Sequence, residues 1–107
     1  MPRSLIERRL TDVAARLRST RAELALIEEQ LAVFADAAEE ARVRSLVSET
    51  PLAHRDYAEA QRHADAMARS RRLIVHQIEE LSAAQDDLLD RLVAAQDWDP
   101  DTWVNQD

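Results

Sequence analysis

The residues of this sequence best equipped for chemistry are its three histidines, His54, His63 and His76. Their spacings of 9 and 13 residues place no two of them one helical turn apart, which is where a helical metal site needs its ligands. Glu59 and His63 are a turn apart, yet no Glu-x-x-His occurs, the motif that a di-iron carboxylate bundle takes from each of two helices. Glycine and cysteine are both absent. That excludes a glycine-rich phosphate loop, a thiol nucleophile, a thiolate metal ligand and a disulfide. No serine is placed with a histidine and an acid so as to form a pocket. The expectation is a protein with no catalytic residues, no metal and no cofactor, and so not an enzyme.

The elements that carry these residues follow from composition. The chain has 107 residues, the size of one domain. Sheet proteins need glycine at hairpin turns and bulges, whereas glycine weakens a helix by roughly 1 kcal/mol relative to alanine. Zero glycine with abundant Ala, Leu, Glu and Arg therefore predicts helix throughout. Aromatic residues are 4% of the chain, so stabilisation must come from aliphatic side chains along a narrow seam in an elongated fold. All 14 basic residues are arginine, a codon bias that with the alanine content points to a GC-rich genome.

Ser4 followed by Glu7 has the pattern of a capping box and predicts a helix start at about Leu5. From there an unbroken 4-3 apolar pattern reads Ile6, Leu10, Val13, Leu17, Thr20, Leu24, Ile27, Leu31, Phe34, Ala38, Ala41, with Thr20 its one polar member. Thr50 and Pro51 form a second start, after which the pattern reads Tyr57, Ala60, Ala64, Met67, Arg71, Ile74, Ile78, Leu81, Gln85, Leu88, Leu92. A repeat of 3.5 residues held this long predicts a coiled coil.

Laid against each other in antiparallel order, the two series match without a skipped residue. Ala41 faces Tyr57, Phe34 faces Ala64, Leu24 faces Ile74 and Ile6 faces Leu92, every pair of numbers adding to one constant. Large opposes small near the turn, where Ala38 faces Ala60, so the helices can approach closely there. The expected fold is all-α: a two-helix antiparallel coiled-coil hairpin over residues 1–96, with helix 1 at about 5–47, a turn at about 48–50 and helix 2 at about 51–96. Residues 97–107 read as an acidic tail containing tryptophan.

The net charge of −7 disfavours nucleic acid and anionic membranes as partners, and no apolar run is long enough to span a bilayer. The charge is uneven, with arginines between 8 and 21 and acids between 79 and 90, and the antiparallel register sets the two groups side by side. Exposed pairs contribute only about 0.2–1 kcal/mol each, but together they favour this arrangement over a parallel one. With no signal-like start, the chain reads as a soluble cytoplasmic protein. Two seam positions are polar, Arg71 facing Ile27 and Gln85 facing Val13. Arg71 either fixes register and oligomeric state or snorkels to Glu28.

Three surfaces are left for partners. The first is an uncharged flank, Leu26, Gln30, Val33 and Ala37 on helix 1 with Ala66, Ser70, Leu73 and Gln77 on helix 2. It suits a homo-oligomer, two hairpins forming a four-helix arrangement; a foreign helix or plain solvent are the alternatives. The second is the tip, with Leu46, Val47, Glu49 and Leu52 past the last seam layer, which either binds a partner or closes on itself. The third is the tail, where Trp98 and Trp103 sit among aspartates. It reads equally as a docking peptide and as a segment that folds back over the open end near Leu5, Ile6 and Leu92.

One likeness bears on the tip. Asp56-Tyr57-Ala58-Glu59-Ala60, just past the turn, resembles the corresponding stretch in the coiled-coil domain of Gre-type transcript cleavage factors, which enter the secondary channel of bacterial RNA polymerase. Those factors carry a pair of tip acids that hold a catalytic magnesium, whereas here Glu49 is the one acid in the turn, and their globular C-terminal domain has no counterpart in this sequence. The resemblance implies a protein that occupies such a channel without stimulating cleavage. The residues themselves imply a non-catalytic interaction module or adaptor that presents its tip or tail to a larger assembly.

Overall fold

A computed structural model of the chain describes residues 1–97. They form two helices, α1 (Arg3–Ser48) and α2 (Pro51–Asp97), which pack against each other as an all-α hairpin. Each helix runs for more than forty residues without interruption because no glycine or proline lies inside it, and Pro51 occupies the first position of α2, where its missing N–H is not needed.

The capping box expected at Ser4 does not form the start of α1. The Pro2 carbonyl accepts from the N–H groups of Leu5 and Ile6 at 3.1 and 3.2 Å, so the helix begins earlier and Ser4 lies inside its first turn. Glu7 turns outward instead, accepting from Arg3 Nε at 2.9 Å. The second start is as the sequence predicts: the Ala53 N–H donates to the Thr50 hydroxyl oxygen at 3.1 Å, satisfying one of the orphan donors of α2. Between the helices, Glu49 donates its N–H to the Ser45 carbonyl at 3.1 Å and takes a positive φ of 50°. This is the left-handed residue that commonly ends a helix, usually glycine, here supplied by a chain that has none.

Two compact units make up the chain. In the unit Arg21–His76, every seam position expected of α1 from Leu24 to Ala41, and of α2 from Tyr57 to Ile74, is buried or half-buried. The seam also runs one layer closer to the turn than the apolar pattern shows, because Ser45 is only 3% exposed and Ala53, its register partner, is half-buried. Ser45 tolerates this by donating its hydroxyl to the Arg42 carbonyl at 2.7 Å. Cross-helix contacts fix the register: Phe34 stacks on His63 with ring centroids 5.7 Å apart, and Arg71 pairs with Glu28. These residue numbers add to one less and one more than the seam constant, as flanking positions of that seam must.

In the other unit, Met1–Thr20 with the described residues from Gln77 onward, the seam is equally continuous. Ile6 and Leu17 are its most deeply buried side chains, with Leu88 buried on α2, and burial of such a side chain contributes about 1.5–3 kcal/mol. Thr20, the polar member of the series on α1, is half-buried and donates to the Arg16 carbonyl at 2.7 Å. Arg9 and Arg16 share one groove with Asp87, and Arg16 shares another with Glu80, so the basic start of α1 does lie along the acidic end of α2.

Candidate functional site

An open trough of about 550 Å³ lies in the unit Arg21–His76. Its walls are Gln30, Val33 and Phe34 from α1 and His63, Ala66 and Met67 from α2. Both triplets have the same spacing, i, i+3 and i+4, which puts three side chains on one helical face. Because the helices are antiparallel, a local twofold axis through the groove relates the triplets: Gln30 corresponds to His63, Val33 to Ala66, and Phe34 to Met67. The floor is the seam itself, half-buried Phe34 and Met67, and the rim is exposed.

Of the flank residues expected from sequence, the structure brings Gln30, Val33 and Ala66 together on this groove. Leu26, Val33 and Leu73 are large aliphatics left 55%, 67% and 65% exposed. Ala37 is also exposed and Ser70 half-buried in the same unit, whereas Gln77 belongs to the other unit, where it lines a more polar groove with Arg16, Thr20, Glu80 and Leu81. His63 and Phe34 were not expected in the face. The sequence places Phe34 in the seam and weighs His63 only against a metal site that its spacing does not support, although the register already sets residue 63 beside the partner position of Phe34.

At the tip, Leu46, Val47 and Leu52 are exposed, Val47 by 81%, and Glu49 is exposed beside them. The tryptophans of the tail, Trp98 and Trp103, lie outside the described residues.

Two arginines make ion pairs that bear on the chemistry of these faces. Arg71 Nε donates to Glu28 Oε1 at 3.2 Å with both side chains nearly half exposed, so the guanidinium leaves the seam and reaches water. Arg42 makes a two-pronged contact with Glu39, at 2.7 and 3.0 Å, and this hydrogen bonding holds the Glu39 carboxyl below its ordinary pKa while raising that of Arg42. The pair is fully on the surface, where ion pairs add little to stability. His54, His63 and His76 are all exposed on α2, and among the described residues no cluster of three His, Asp or Glu side chains could hold a metal. No described helix is long and apolar enough to cross a membrane. Comparison with protein-family models, with curated proteins and with solved structures returns no match to this chain.

Proposed function

We propose that the protein is a non-catalytic interaction module, an adaptor of the bacterial cytoplasm that self-associates through the groove face and presents its tip or tail to a larger assembly. The observation that carries this is the row of large aliphatics, Leu26, Val33 and Leu73, left mostly in water around an uncharged groove. Aliphatic groups this exposed and this close together favour being covered.

The occupant proposed is a second copy of the same chain. With a twofold axis parallel to the helices, each Val33 lies over the partner's Ala66 and each Leu26 over the partner's Leu73. Val33 then meets the smaller Ala66 and leucine meets leucine on both sides, and all four helices run antiparallel to their neighbours. Gln30 at the rim supplies hydrogen-bonding groups without a charge that must be stripped of water.

Light scattering tests the reading. The wild type should have twice the chain mass, and Leu26→Glu combined with Leu73→Glu should halve that mass while circular dichroism shows the helices intact. A wild type that stays monomeric at high concentration overturns self-association. A second reading, in which the tip enters a channel of RNA polymerase or of another channel-bearing enzyme without promoting transcript cleavage, is favoured by the exposure of Leu46, Val47 and Leu52. Serine at positions 46 and 52 leaves the mass unchanged under both readings, and abolishes polymerase binding only under the second.

A further inference from the structure

The face around Val33 carries charges on its outer edge that the groove itself does not use. On α1 the residues Leu26, Glu29, Val33 and Asp36 follow one another at intervals of three or four, so one stripe alternates aliphatic and acid. On α2 the residues Arg62, Ala66, Arg69 and Leu73 form a like stripe, with arginine where α1 has acid. All eight are exposed, and all belong to the unit Arg21–His76. Arg42 and Arg71 in the same unit have carboxylate partners, but none of these four charged side chains takes part in a hydrogen bond or ion pair among the described residues.

The two stripes match in order as well as in sign. In the hairpin register, residue 29 is level with 69 and residue 36 with 62, just as Ala41 is level with Tyr57. Within one chain they cannot pair. Each stands two residues past a seam position, about 200° around its helix, on the side turned away from the other helix. A second copy removes that separation. With its α2 antiparallel on α1, Leu73 over Leu26 and Ala66 over Val33, Glu29 comes beside the partner's Arg69 and Asp36 beside the partner's Arg62. The twofold axis repeats both pairs on the opposite edge. Packing α1 on the partner's α1 would instead set acid against acid, and α2 on α2 arginine against arginine. Toward the turn the match ends, because Glu40 and Glu59 come next and carry like charge.

We propose that ion pairs of Glu29 with the partner's Arg69 and of Asp36 with the partner's Arg62 select a second copy of this chain and fix its orientation, α1 on the partner's α2. The inference rests on the reading of this face as a self-association surface, and it assigns attraction to the aliphatics and specificity to the charges. Rim charges act in this way by steering encounter and by penalising packings that bring like charges together.

Charge reversal in the full chain tests this, with solution mass followed by sedimentation over a concentration series at low salt. Reversing the acids, Glu29→Arg with Asp36→Arg, should weaken the dimer on the order of a hundredfold, as should reversing the bases, Arg62→Glu with Arg69→Glu. Circular dichroism should show the helices intact in both. Mixed in equal amounts, the two variants should dimerise as the wild type does, with one copy of each chain, since both edges again join acid to arginine. A dimeric wild type whose variants keep its mass overturns the proposal and leaves self-association standing. Weakening that mixing does not rescue overturns the pairing in the same way. A wild type that never dimerises removes the self-association reading and the proposal together.

Discussion

Arg71 shows how a polar side chain lives at a seam position. Its Cα faces Ile27, but its guanidinium runs past the seam to Glu28, so its methylenes cover apolar surface while its charge stays in water. An exposed pair of this kind is worth about 0–1 kcal/mol, less than a leucine would gain by filling the same half-buried site. Arg71→Leu should therefore raise the free energy of unfolding by about 1 kcal/mol with no change in solution mass, as read by thermal melting and light scattering. A change in mass would assign Arg71 to specifying the oligomer. Thr20 and Ser45 meet the same constraint by another route, turning their hydroxyls onto carbonyls of their own helix. That Arg71 has Glu28 within reach was legible from the register. The burial of Ser45 was not, because serine breaks an apolar pattern even where its hydroxyl can be satisfied locally.

At the scale of the helices, a 4-3 spacing of aliphatic residues was sufficient to give both elements and their pairing, since each seam position it nominated is buried or half-buried. The ends were less legible. Ser4 and Glu7 have the right types and spacing for a cap, but the Pro2 carbonyl can accept from the next turn, and the helix extends past them. The turn departs most from what sequence shows: a left-handed residue between two helices is normally announced by glycine, and here Glu49 fills the position. A residue with a Cβ costs about 1–2 kcal/mol in that conformation. Glu49→Gly should recover about 0.5–1 kcal/mol of it, the remainder being offset by the greater freedom of glycine in the unfolded chain, and a higher melting midpoint would show this. An unchanged or lower midpoint would mean that the Glu49 side chain makes up for its own strain. The candidate face divides in the same way. Its exposed aliphatics were legible as residues off the seam stripe, whereas the contribution of Phe34 and His63 appears only when the two helices are set side by side.

For the whole molecule, what the faces can do depends on each chain folding back on itself about Glu49. The groove of Gln30, Val33, Phe34, His63, Ala66 and Met67 exists only because α1 and α2 of one chain are antiparallel in this register. A shift of one turn would separate the two triplets and bring charged residues between them. The protein has no cysteine, so introduced thiols report without background. The decisive measurement is oxidation of the double variant Ala38→Cys with Ala60→Cys at high dilution, analysed by non-reducing gel and mass spectrometry, beside a control pair, Ala38→Cys with Ala68→Cys, displaced by about 12 Å along the helix. The hairpin predicts rapid closure of a disulfide within single chains for the first pair and little for the second. Disulfides formed only between chains, or equal closure by the displaced pair, would contradict it.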